Sequence, residues 1–276
     1  MRGRYRQADQ HSSQMKTIFT TLFFFIFLAA FGQTQDVIEE ELLQDFNRIL
    51  YWRDYRGDNP NVNVYDSLLV TNEQFEKKLL KYTSQIPTTI GFDFKKLKGK
   101  GLSISTSDDS VFRIYSWDTW TGGTMHFLQN VFQYKAGDKI YAKVISEPLN
   151  TDDQYSINWY IQVFTVKTST QTYYLALYDR TYSMKDANQG VKVFSINGNI
   201  INDSVKLIKT ESGIKNKLGF DYDFFSVVDR KERPIKLITY NPKLMTLRIP
   251  VVVGDGKVLN RFIIYRFTGK HFERVT

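Results

Sequence analysis

The sequence predicts a mainly β protein: an antiparallel β domain, propeller-like or built as a sandwich or barrel, behind two short N-terminal helices. Three observations predict it. From Pro87 onward the apolar residues recur with period two, in runs that begin at Phe112, Trp159 and Phe262. Turn signals at Asn197-Gly198, Gly254-Asp255-Gly256 and Thr268-Gly269 punctuate those runs. Aromatic residues make up 15% of the chain, with 17 Tyr and 21 Phe, a composition suited to pleated, half-buried surfaces.

The chain divides into three stretches: residues 1–32, an upstream piece and an export signal; 33–86, a helical lead-in; and 87–276, the β domain. Met15 to Gly32 has the grammar of a secretory signal peptide. Lys16 supplies the positive end, Thr17 to Phe31 the apolar run, and Ala30-Phe31-Gly32 the small-x-small cleavage site. The run is short for a bilayer span, so no stable membrane span is expected after cleavage; an uncleaved anchor is the alternative. The polar residues before Met15 sit awkwardly ahead of that signal, which makes Met15 the expected start.

Two helices follow. Asp36 and Glu39 form a capping pair ahead of Ile38, Leu42, Phe46, Ile49 and Arg53 at helical spacing. Thr71 and Gln74 form another ahead of Phe75, Leu79 and Tyr82, with Gly57-Asp58-Asn59-Pro60 as the breaker between. No helical period of useful length is visible after residue 90.

The β domain carries a degenerate repeat. Val131 to Gly137, Val193 to Gly198 and Ile264 to Gly269 are each an aromatic-bearing strand ending in a glycine turn that opens a further strand. Each is preceded by another strand: Phe112 to Trp117, Tyr173 to Tyr178, and Leu247 to Val253. Such units expose apolar faces that neighbouring units must cover. Chance resemblance among antiparallel strands is the competing account.

The absence of cysteine excludes disulfides, thiolate catalysis, Cys-ligated zinc and a lipid-bearing cysteine. Stability must come from the core, which the 244 residues from Gln33 onward are long enough to build. Loss of Arg2, Arg4, Arg6, Lys16 and Asp9 with residues 1–32 lowers the net charge from +8 to +5. That mild excess is ordinary for solubility and weak evidence for a polyanion partner, and export argues against nucleic acid. The densest basic run, Lys95-Lys96-Leu97-Lys98-Gly99-Lys100, reads as a solvated loop, with contact to phosphate groups or an anionic surface as the alternative.

The Phe-rich signal ending in Phe31-Gly32-Gln33, the run Phe112 to Thr119 followed by Gly122-Gly123-Thr124, and the tail from Phe220 to Lys270 resemble uncharacterised secreted proteins of Bacteroidota-type Gram-negative bacteria. The resemblance implies export and a β fold. It implies no activity.

Catalytic motifs are scarce. Only His126 and His271 follow the signal, which removes a His-rich metal site, and no nucleophile elbow, P-loop or dinucleotide fingerprint occurs. No cofactor or metal is expected. The densest candidate site is Trp117-Asp118-Thr119-Trp120 through His126. Two tryptophans beside an acid and a Gly-Gly suit a platform that stacks on sugar rings while Asp118 binds hydroxyls. The plainer account is a strand end whose Trp packs inward, Asp118 capping a turn and Gly122-Gly123 supplying positive φ. A spacing of three on a strand puts Trp117 and Trp120 on opposite faces, with Trp120 the exposed ring. The acid pairs Asp108-Asp109 and Asp152-Asp153 read as turns, and Asp221 with Asp223 as a solvated strand face.

Two functions fit. One is an exported, non-catalytic β protein that binds a glycan or an envelope protein through Trp117, Asp118, Trp120 and His126. The other is a hydrolase of envelope or extracellular polymers, using Asp118 with His126 or a carboxylate pair. The hydrolase requires at least two of Asp118, His126, Asp221 and Asp223 to share one cavity.

Overall fold

The computed structural model describes residues 35–123, 126–145 and 158–275. The predicted signal segment and the Asp152-Asp153 pair lie outside the described residues. The chain is mainly β, with antiparallel sheets behind an N-terminal helical layer, and none of the described sheets closes into a barrel. No helix among the described residues is long and apolar enough to cross a membrane.

Helix α1 (residues 35–54) buries Ile38, Leu42, Phe46 and Ile49, the stripe read from the sequence. Gln35 is already helical, so Asp36 sits inside the helix and not at its N-cap. Helix α2 (Val64–Gln85) begins two turns before the expected Thr71. Asn63 is its N-cap, accepting from the Asp66 N–H at 3.2 Å. Thr71 and Gln74 only imitate a capping box: the Thr71 hydroxyl donates to the Ser67 carbonyl one turn back, at 2.8 Å.

The lysine run is a helix rather than a loop. Helix α3 (Lys95–Gly99) buries Leu97 and leaves its lysines exposed. Its first amides find a partner far away in sequence, because Glu39 of α1 accepts from the Lys96 N–H at 2.7 Å. No local pattern could report that cap.

Three sheets follow. The first is β1 (Ser103–Thr106), β2 (Phe112–Asp118), β3 (Leu128–Ala136) and β4 (Lys139–Lys143), paired in that order. The second takes β5 (Trp159–Lys167), β6 (Thr172–Thr181), β7 (Asp186–Asn197) and β11 (Lys217–Asp223), with β8 (Ile200–Asn202) on β7. The third orders β10 (Gly213–Lys215), β9 (Ile208–Thr210), β15 (Phe272–Arg274), β14 (Val258–Phe267), β13 (Thr246–Val252) and β12 (Thr239–Asn241).

Each sheet holds one of the three predicted units. The units are β2-β3-β4, β6-β7-β8 and β13-β14-β15, and every neighbouring pair within them is antiparallel. Their turns place Gly137, Gly198 and Gly269 at φ 58°, 57° and 93°, where a Cβ would be strained.

Period two then decides which face packs where. On the first sheet, Tyr115, Trp117 and Val131 join the helical core, while Phe112, Ile114, Phe132 and Tyr134 face the second sheet. On the second, Tyr174, Tyr178 and Phe194 look back at the first, while Leu175, Leu177, Val191 and Val193 pack on the third. A bulge at Tyr160/Gln162 resets β5, so Tyr160 and Val163 share one face despite a spacing of three. The result is a linear stack of helices and three sheets, a layered sandwich, not the ring of a propeller.

Candidate functional site

Asp118 ends β2, and the loop after it is held tightly. Asp118 Oδ1 accepts the Trp120 N–H at 2.8 Å, and Thr119 bonds Phe127 through both its N–H and its hydroxyl. Trp120 consequently adopts φ 57°, a left-handed conformation rare for a bulky residue. The expected positive φ thus falls on Trp120 and not on Gly123. Strain of this kind costs on the order of 1–3 kcal/mol and persists only where surrounding contacts hold it.

The predicted opposition of the two tryptophans is what the fold contains. Trp117 is fully buried against Phe75, 5.1 Å away between ring centroids, so it is a core residue. Trp120 is 36% exposed. The Arg53 guanidinium lies over its ring at 5.1 Å, and His126 meets it edge-on at 5.9 Å.

Asp118 and His126 are partners. The second Asp118 carboxylate oxygen contacts His126 Nδ1, and among the described residues no hydrogen bond engages Nε2. Asp118 is buried and His126 is exposed, so the buried acid orients an accessible imidazole.

Both residues line a cavity of about 500 Å³, walled by Trp120, by Arg53 of α1, by Lys100, and by Trp159, Asp179 and Arg180 of the second sheet. These latter five escaped sequence reading as a group, because they come from four separate segments. Arg53 alone left a signal: a charged residue continuing the buried stripe of α1. Trp159 and Asp179 are directly paired across β5 and β6. Arg180 is buried, donating to Asn158 Oδ1 at 2.7 Å beside the Tyr178 ring.

Asp179 is the electrostatically distinctive group. Burial pushes its carboxyl from 3.8 up to about 7, against the opposing pull of the Gln189 amide, which donates to it at 2.7 Å. Burial, then the nearby Asp179, also raises the Tyr222 hydroxyl. A second hollow of about 300 Å³ shares Asp179, Arg180 and Thr181 with the first and continues to Tyr222 and Arg233. On the other side, a shallow hollow shares Arg53 and Trp120 and reaches Trp52 and Arg56. Both hollows adjoin the first through these shared residues.

The other acid pairs lie elsewhere. Asp109 accepts from Ser107 and Val111 within its turn. Asp221 takes the Asn188 amide at 2.7 Å, and Asp223 caps a short 3-10 turn at Phe225; both line a separate depression beside Gly254 to Gly256. Among the described residues, no three His, Cys, Asp or Glu side chains gather as metal ligands. No protein-family model, curated protein or solved structure matches this chain.

Proposed function

We propose that this chain is an exported binding protein that takes a hydroxyl-rich ring ligand, a glycan, into the Trp120 cavity. One observation carries the reading: Trp120 is held half-exposed in a strained backbone, over a cavity with polar groups on its opposite wall. A core aromatic needs no such arrangement. The two hollows that adjoin this cavity suit an extended oligomer better than a lone monosaccharide. Export rests on the Met15 to Gly32 segment. Envelope fractionation followed by N-terminal sequencing is expected to return Gln33 or a close neighbour; an intact Met1 would end the export reading. Titrating glycan fragments while following tryptophan fluorescence should give saturable quenching that Trp120→Ala removes. Equal response in both proteins would end the platform reading.

A hydrolase of such polymers is the second reading, favoured by the Asp118–His126 contact inside the same cavity. Asp118 holds the imidazole in one orientation, and His126 Nε2 takes a proton from attacking water. Product release detected with wild type and absent with Asp118→Asn is the expected mark of catalysis. Binding without turnover in both proteins leaves the non-catalytic reading standing.

A further inference from the structure

We infer that the cavity selects acidic sugars, rings bearing a carboxylate or sulfate, with Lys100 as the group that meets the anion. The inference rests on the glycan reading above and adds the charge of the ligand.

Three cations reach the cavity from three elements: Arg53 from α1, Lys100 from the turn between α3 and β1, and Arg180 from β6. Two of them are already engaged. Arg53 pairs with Asp54 and lies over Trp120, and Arg180 is bound to Asn158. Lys100 differs. Among the described residues, no ion pair or side-chain hydrogen bond engages its ammonium. An exposed lysine is common, but this one lines a cavity whose aromatic wall is kept in a strained conformation.

Asp54 answers Arg53, and hydrogen bonding leaves the Asp118 charge in place, so the acids offset part of the positive charge. The two oxygens of Asp118 are taken by the Trp120 N–H and by His126. Asp179 sits where burial disfavours its anion. A neutral sugar would fill the cavity and leave the surplus positive charge unanswered. A ring stacked on Trp120 with its anion toward Lys100 answers it, and the charged hydrogen bond formed is stronger than a neutral one. The buried Arg180 adds a fixed positive background.

The test uses defined probes on the full exported chain. Oligogalacturonate supplies the carboxylate, chondroitin sulfate oligosaccharides add the sulfate, and cello-oligosaccharides serve as the neutral comparison. Affinity is read by tryptophan fluorescence at low and at high salt. At least one acidic probe is expected to bind tenfold or more tighter than the neutral one, with the advantage shrinking at high salt. Lys100→Gln should remove most of that advantage at an unchanged melting temperature. Whichever acidic probe loses more identifies the preferred anion. Equal affinity for neutral and acidic probes overturns this inference alone, as does an acidic preference that Lys100→Gln leaves intact. Failure of all three probes to bind overturns the glycan reading as well.

Discussion

The indole N–H of Trp117 donates to Asn72 Oδ1 at 2.9 Å, and the Asn72 amide in turn donates to the Thr119 carbonyl at 2.8 Å. One buried side chain of α2 thereby fixes both the core tryptophan and the residue before Trp120. The two rings, three positions apart, differ sharply in consequence. Trp117→Ala should destabilise by about 3–5 kcal/mol, while Trp120→Ala costs below about 1 kcal/mol and abolishes ligand response. Thermal melts of the two variants decide this. Severe loss in both would make Trp120 a core residue.

Asn72→Leu keeps the volume but orphans the Trp117 N–H and the Thr119 carbonyl. The expected cost is about 2–4 kcal/mol, since a stranded buried polar group loses its full desolvation penalty. Trp117→Phe removes the donor, so the double variant should recover about 1 kcal/mol relative to additivity. A strictly additive cycle from urea unfolding would show that the bond contributes nothing.

Asp179 makes stability depend on pH in a defined direction. Its carboxyl titrates near 3.8 unfolded and about 7 folded, so between those values the folded chain holds the extra proton. Stability from this group therefore falls as pH rises from about 4 to 7, and the full cost persists above 7. Asp179→Asn should gain about 2 kcal/mol on the parent at pH 8 compared with pH 4, a figure discounted because the cavity opens to water. Melting both proteins at the two pH values is sufficient. An unchanged difference would mean that the carboxyl is not desolvated.

Gly190 is needed for space rather than for φ. A Cβ there would run into the Tyr178 hydroxyl and lie 2.9 Å from the Leu218 carbonyl oxygen. Gly190 pairs with Tyr178 and Gly219 across its neighbours, and the phenol end of Tyr178 lies over both glycines. Gly190→Ala should cost about 3 kcal/mol or more, partly relieved by adding Tyr178→Phe. Tolerance of alanine in a chemical-denaturation series would contradict this packing.

What could be read from the sequence was whatever depends on near neighbours. The buried stripe of α1 and the strand pairs β2-β3, β6-β7 and β13-β14 follow from periods of 3.6 or two. Trp120 is exposed as expected, but because it lies in the turn past the end of β2 and not because the strand alternates. Errors arose where a local pattern had a distant cause or a false twin. Thr71 and Gln74 have the spacing of a helix start inside a helix that Asn63 begins. Lys95 to Gly99 is helical because Glu39, more than fifty residues away, satisfies its first amides. Asp118 and His126 stand eight residues apart and were legible as candidates. Trp159, Asp179 and Arg180 join them only once β5 and β6 are in register, and no motif spacing announces a cavity assembled that way.

The second sheet lies between two others, and this limits how the chain can be cut. Shortening it from the front to start at β5 would bare Tyr160, Tyr174, Tyr178 and Phe194 to water. Ending it after β8 would expose Val166, Leu175, Leu177, Val191 and Val193 instead. Either fragment presents a broad sticky surface of the sort that drives aggregation. Expression of partial chains should therefore yield inclusion bodies, and proteolysis is expected to leave either the whole stack or nothing soluble.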